Sequence, residues 1–448
     1  MNASRRLTRE LVAALDGLLA HERAGGGWTL ASAPGTRPAP NTVPLEIAER
    51  LAAPLGLARW DLVVLRSPGT PAAGLVLLGG YRVTGRADYL AAAERAGDLL
   101  VAIQLPSGGW FSEMPVEGKV LAPWFALAVR RTAIDDDVTP GATRLLLALW
   151  EATGKRRYRE SAARAVALLV RAQLPVGAWP LVWRPGWKRT LWPTFEDLPT
   201  LNDGASTQAI ETLLVAGRTL GRADLLAVAR RGGEWLLRVR RPPPQAGWAQ
   251  QYDVGGVPAP ARRFEPAALA SWESRYVIDT LLALAVATGD ARYCVPVEDA
   301  VRWLARSAIR PGCWARFYAL GTNAPLYVGS DGRHVDVPAA ARPGYDWTGD
   351  FGIPALFARL GLDAEANARP AAALTRTVLA HHSQVPAALA PGDPGVCPGE
   401  HAGGGDRHRA DGARAFIGRA TTLLAALEPA APSPCATAAE APEGTRGR

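Results

Sequence analysis

The chain has 448 residues, 48% of them hydrophobic and 21% charged, with a formal charge of +8 at pH 7. That is a soluble globular composition with ample apolar material for a core, and its length allows one large domain or two to three ordinary ones. No run reaches the roughly 18 apolar residues a membrane span requires. The arginines are scattered, with no zinc-finger or RNP-like pattern, so the positive charge points to an anionic partner other than nucleic acid. Cys294, Cys313, Cys397 and Cys435 form no CxxC pair, so neither a zinc site nor a disulfide framework is indicated.

The opening stretch "MNASRRLTRELVAALDGLL" is an amphipathic helix, not a basic stub followed by an apolar core, so no signal peptide is visible. Residues 1–60 read as an N-terminal helical extension. The glycine-rich "ERAGGGW", ending at Trp28, lacks the lysine of a phosphate loop and is given no chemistry.

From there the chain repeats. "QLPSGGW", "QLPVGAW", "PPPQAGW" and "IRPGCW" end at Trp110, Trp179, Trp248 and Trp314, at intervals of 69, 69 and 66 residues. A second marker, at Tyr89, Tyr158, Leu225 and Tyr293, recurs at 69, 67 and 68. Two markers with one period, about 68 residues, indicate repeated units. In each unit an apolar helix such as "GATRLLLALWEAT" stops at a glycine, here Gly154, which suits the left-handed position after a helix end. A second helix follows, then a Pro/Gly break and the tryptophan. The tryptophans are expected to be packing residues. The fold class is therefore all-α: helical hairpins closing into an (α/α) toroid over residues 61–385, with long irregular loops at one mouth. Loops and helix starts gathered there favour anions. Residues 386–448 read as a Pro/Ala/Gly-rich flexible tail with one helix near "GARAFIGRATTLLAALE". His401 and His408 lie in that tail and His381 and His382 just ahead of it, and none is assigned a site.

Acidic groups recur at the starts of the first helices. Asp135, Asp136 and Asp137 open the second unit, Asn202 and Asp203 the third, and Glu273 the fourth. Asp136 to Asp203 and Asp203 to Glu273 are 67 and 70 residues, so a toroid carries them toward one mouth. One aspartate suffices to cap a helix, so three in a row ask for a further role. Clustered carboxylate oxygens suit a hard cation such as Ca2+. Two irregular stretches supply arginines beside aromatic rings: "WAQQYDVGGVPAPARRFEPAALASWES", with Arg262, and "WARFYALGTNAPLYVGSDGRHVDVPAAARPGYDWTGDFG", with Arg316, Asn323, Arg342, Tyr345 and Trp347. A guanidinium fork binds a sugar carboxylate bidentately.

These segments, together with "AIDDDVTPGAT" and "TLNDGAS", resemble polysaccharide lyase family 10 over about residues 75–360. The resemblance implies pectate lyase chemistry on an (α/α)3 toroid: calcium-assisted β-elimination of polygalacturonate or a related uronide, with an arginine as base. It implies calcium at Asp135, Asp136 and Asp203, and Arg342 as the base because it precedes "GYDW". Arg262 would bind a uronate carboxylate, with Arg316, Asn323, Tyr345 and Glu273 completing the substrate site. Several basic positions of the family pattern are replaced here. Ser330 stands before "DG", Tyr252 follows "QQ", Phe111 and Ser112 follow Trp110, and Pro343 separates Arg342 from "GY". Altered specificity and lost catalysis are both compatible with those losses. The expected partner is an acidic polysaccharide or oligouronide acted on by a monomer. The resemblance implies secretion, although no signal peptide is visible. Two other readings stand beside the lyase. One is an inverting glycoside hydrolase with Asp136 and Glu273 as its acid and base, roughly 6.5–9.5 Å apart. The other is a non-catalytic binder of acidic glycans.

Overall fold

The structure, a computed structural model, describes residues 2–23, 26–28, 62–115, 131–184, 194–360 and 413–427. The tail histidines, Cys397, Cys435 and the second glycine-rich run lie outside the described residues. Four helical hairpins carry the repeat. They are α2 (Thr70–Thr84) with α3 (Ala87–Ala102), α4 (Val138–Thr153) with α5 (Arg156–Ala172), α6 (Ala205–Leu220) with α7 (Asp224–Val239), and α8 (Ser271–Thr288) with α9 (Val295–Ser307). Each first helix ends on a left-handed glycine, Gly85, Gly154, Gly221 and Gly289, with φ of 72°, 67°, 65° and 67°. No Cβ is present there to oppose that conformation.

The first helices neighbour one another in the order α2–α4–α6–α8, and each second helix packs outside its own partner. Burial follows from that placement. Eleven residues of α4 are buried, including Thr139, Thr143 and Arg144, because it is covered from both sides. In α5 an apolar stripe of Tyr158, Ala162, Ala165, Val166 and Leu169 is buried and the other face is wet. This is the α/α toroid expected from the repeat.

The tryptophans are the joints. Trp110, Trp179, Trp248 and Trp314 are buried, and each indole N–H donates to a carbonyl near the end of the preceding second helix: Leu100, Leu169, Leu236 and Leu304, at 2.9, 2.7, 2.8 and 2.6 Å. The backbone N–H of the first three donates to a hydroxyl in the first turns of the next unit's first helix: Thr139, Ser206 and Ser274. One residue thus locks the end of a unit to the start of the next. Trp179→Ala should destabilise the protein by about 4 kcal/mol, from lost burial and an orphaned carbonyl. Urea unfolding measures it, and a loss below about 1 kcal/mol would contradict the assignment.

The N-terminal helix α1 (Asn2–Ala20) obeys the same rule. Trp28 donates its indole N–H to the Leu18 carbonyl at 2.9 Å, and its backbone N–H to Thr70 Oγ1 at 3.0 Å. The helix expected within the tail is present as α11 (Ala413–Leu427) and packs against α1 and α2. A short helix, α10 (Ile353–Arg359), packs on α8.

Short antiparallel strands gather ahead of the first helices. They are β1 (Leu62–Val64) with β2 (Glu113–Pro115), β3 (Thr132–Ala133) with β4 (Val182–Trp183), and β5 (Leu269–Ala270) beside β8 (Phe317–Tyr318), β9 (Pro325–Val328) and β10 (His334–Val335). A further sheet joins β6 (Ala308–Arg310), β7 (Cys313–Ala315) and β11 (Thr348–Gly349). The reading of the cysteines is corrected: Cys294 and Cys313 are both disulfide-bonded, and no described cysteine is free. A disulfide joins residues that are distant in sequence, and spacing alone does not reveal it.

Candidate functional site: an acidic cluster at the mouth

Two units build the cluster. β3 feeds the Asp135–Asp137 loop, which is pinned to the next crossover: Ile134 N–H donates to the Leu181 carbonyl at 2.8 Å and Asp135 N–H at 3.3 Å. Asp136 and Asp137 are left-handed, with φ of 52° and 58°, and so is Asp203, with φ 49°, just ahead of α6. Aspartate tolerates this region better than most residues, but each such residue still stores strain that the surroundings must hold. The two loops are tied by Asp136 N–H donating to the Asp203 carbonyl at 2.9 Å, and the first unit joins through Ser67 N–H to the Asp136 carbonyl at 2.8 Å.

Carboxylate oxygens of Asp135, Asp136 and Asp203 lie within 4.8 Å of one another. Burial pushes Asp135 well above the ordinary carboxylate range, and the charges of Asp136 and Asp203 push it further. Burial, with Asp203, raises Asp136 to about 7. Burial raises Asp203 as well, against the pull of Arg262 and Arg316. The only ion pair to the cluster among the described residues is long: Arg262 Nη2 stands 3.9 Å from Asp203 Oδ2. Three negative groups with so little compensation fit a hard dication.

Asp137, the third aspartate of the run, does not join them. It is buried, and both of its oxygens accept from Arg144 Nη2 at 2.6 Å.

The arginines form an aromatic wall beside the cluster. Arg262 Nη1 donates to Glu265 at 2.8 Å, and Tyr345 donates its hydroxyl to the same carboxylate oxygen at 3.2 Å. Arg316 is buried, lies 4.4 Å from the Trp272 ring centre and 4.8 Å from that of Tyr345, and donates to Glu273 at 3.1 Å. Burial raises Glu273 to about 7, with Arg316 opposing. The Arg342 guanidinium carbon stands 3.9 Å from the Phe264 ring centre, and Phe264 meets Tyr345 edge-on at 5.0 Å. Its backbone is held by hydrogen bonds with the Val328 carbonyl and the Trp347 indole. Among the described residues, no carboxylate lies within ion-pair distance of Arg342. The contacts therefore chain Arg342, Phe264, Tyr345, Glu265, Arg262 and Asp203 into one wall. Asn323 is not brought there. Its amide is spent on the scaffold, accepting from Trp303 at 2.7 Å and Gln245 at 3.2 Å and donating to Ser307 at 2.9 Å.

Sequence reasoning passed over Trp272, whose ring carries Arg316, and the role of Arg144. It also gave no weight to the buried amides. Both side-chain polar atoms of Asn202 and of Gln250 are buried and find no partner among the described residues. Asn202 adjoins Asp203, and its backbone N–H donates to the Gln250 carbonyl at 3.1 Å. Unsatisfied groups of this kind are rare away from functional sites.

Below the mouth, Glu211 on α6 accepts from Thr280 Oγ1 at 2.6 Å and is raised to about 7 by burial. A carboxyl raised in the folded state contributes stability that is full below its unfolded value and is lost as pH climbs through the folded one. Stability should thus fall between about pH 4.5 and 7 by up to roughly 3 kcal/mol from this group. Glu211→Gln should match wild type near pH 4 and exceed it at pH 8. Equal unfolding free energies at both pH values would contradict the burial argument.

Residues 121–311 match the pectic acid lyase family model, which bears out the resemblance read from the sequence. Among solved structures, a mutant of the family 10 polysaccharide lyase from Cellvibrio cellulosa, in complex with a trigalacturonic acid, is 20% identical. It covers 65% of this chain and 98% of its own, with a TM-score of 0.50. Cellobiose 2-epimerase from Spirochaeta thermophila is 14% identical, covering 95% of this chain and 98% of its own, with a TM-score of 0.53. The epimerase from Bacillus thermoamylovorans is 11% identical, covering 72% and 77%, with a TM-score of 0.51. At these identities the likeness is one of fold. No curated protein matches.

Proposed function

We propose that the chain is a pectate lyase-like enzyme that cleaves a uronide by β-elimination, with a calcium ion held by Asp135, Asp136 and Asp203. The observation that carries the reading is the weakly compensated cluster of three carboxylates from two units, set beside a wall of arginines and aromatic rings. When bound, the ion supplies positive charge for the uronate carboxylate as negative charge develops next to it.

The chain's own residues do the rest. Arg262, already turned toward Asp203, offers its exposed face to a substrate carboxylate. Arg316 adds fixed positive charge from a dry setting, where it counts for more than in water. Trp272 and Tyr345 hold the Arg316 guanidinium against their rings. Arg342 is the proposed base. It takes the C5 proton, the electrons of that C–H bond form the C4=C5 double bond, and the C4–O bond breaks with its electron pair going to the leaving sugar's oxygen, which takes up a proton from water. Phe264 covers one side of the Arg342 guanidinium and fixes its place beside the mouth. A disulfide-bonded chain is at home in an oxidising compartment, which agrees with an exported enzyme.

An inverting hydrolase remains the second reading, because Asp136 and Glu273 are both raised to about 7, as a general acid near neutral pH requires. Products separate the two. Polygalacturonate and a panel of other uronides are incubated with the protein, with calcium or with chelator. The lyase gives calcium-dependent near-ultraviolet absorbance from an unsaturated uronide. New reducing ends without that absorbance would assign the hydrolase. Calcium and glycan binding with neither product would leave a non-catalytic binder.

A further inference from the structure

We infer that Arg144 is the positioning residue of the acidic cluster, holding Asp135 and Asp136 against Asp203 by joining the two walls of the mouth through one guanidinium. The inference rests on the cation reading above, and adds a residue that neither the repeat nor the resemblance assigned.

Arg144 lies on α4, is 6% exposed, and works in two directions. Nη2 donates to both oxygens of Asp137 at 2.6 Å, and Nη1 donates to Thr212 Oγ1 on α6 at 2.8 Å. Asp137 is the third residue of the run that delivers Asp135 and Asp136. α6 is the helix that begins just after Asp203. The guanidinium therefore spans from the loop carrying two of the cluster's aspartates to the helix that follows the third.

Such a tie is needed. Asp136 and Asp137 are consecutive non-glycine residues in the left-handed region, and the three cluster carboxylates repel one another. Both effects drive the loop away from Asp203. The buried pair opposes them, because a charged carboxylate left without Arg144 in that interior would be costly. The floor beneath is shaped for it: a Cβ on Gly141 would stand 2.8 Å from Asp137 Oδ2, so only glycine leaves room for the carboxylate. This accounts for the three adjacent aspartates. Two face the mouth, and the third anchors them.

The test uses the full chain as wild type, Arg144→Lys and Thr212→Val. Lysine keeps the positive charge but is a point donor that cannot serve Asp137 and Thr212 together. Valine keeps the shape of Thr212 and removes the acceptor. Calcium affinity is measured by calorimetry, melting temperature alongside it, and each protein is crystallised. Folded Arg144→Lys should bind calcium at least tenfold more weakly, Thr212→Val about threefold more weakly, with the three aspartates spread apart in the crystals. A residue that only stabilises the fold would lower the melting temperature and leave affinity unchanged. Affinity within twofold of wild type, with the carboxylates in place, overturns the inference. Should Arg144→Lys not fold, Thr212→Val decides by the same criteria. Should wild type bind no calcium, the cation reading falls instead. The crystal structures then still decide, since unmoved aspartates refute positioning and displaced ones support it.

Discussion

Asp203→Asn should lose calcium affinity by about a hundredfold, because it removes one of three charges and leaves the other two on a separate loop. The calcium-free variant should melt no lower than wild type. Asp203 sits within a group of mutually repelling carboxylates, so neutralising it relieves repulsion. That combination, weaker binding without weaker folding, separates a ligand from a merely structural acid. Calorimetry and thermal melts with and without calcium measure it. A variant that binds calcium as wild type does would remove Asp203 from the site. The pH dependence has a definite sign. Asp136 takes up a proton near 7, so a cation must displace that proton, and wild-type affinity should fall as pH drops below about 7.

The second large effect is expected at Arg342. Arg342→Ala should lower the rate of elimination by about a thousandfold, the scale of a lost general base, while calcium affinity stays within a few-fold of wild type. Arg342→Lys should not restore it. The guanidinium is set by its contact over the Phe264 ring and by a backbone hydrogen-bonded to the Val328 carbonyl and the Trp347 indole. An ammonium on a flexible stem reproduces neither the plane nor the reach. Single-turnover formation of the unsaturated product measures the step. A variant that keeps most of its rate would exclude Arg342 as the base. Loss of activity only with Glu273→Gln would favour the hydrolase.

Much of this was legible in the sequence because the repeat reports on local rules. A left-handed glycine after each first helix and a tryptophan after each second are requirements of caps and joints, so they recur wherever a unit is built. The aspartates were found the same way, since Asp136 and Asp203 hold equivalent backbone positions 67 residues apart. What stayed hidden depends on pairing between units. Arg144 is one cation among 50 lysines and arginines, and only the folded neighbourhood picks out Asp137 and Thr212 as its partners. Asn323 looked free for substrate because its loop is polar, yet Trp303, Gln245 and Ser307 consume it. The joint at Trp28 was missed because the next tryptophan of its kind is 82 residues on, so the period does not extend to it.

The packing of α1 against α11 has a consequence for how the protein is made. The buried leucines of α1, Leu11, Leu15 and Leu18, leave the ribosome well before the helix that packs beside them, with Ile417 and Leu424, is synthesised. At ordinary elongation rates of about 5–20 residues per second, the interval is roughly 20–80 s. For that time the apolar face of α1 lacks this cover. Chaperones that hold such faces should engage α1 early and release it only once α11 has emerged.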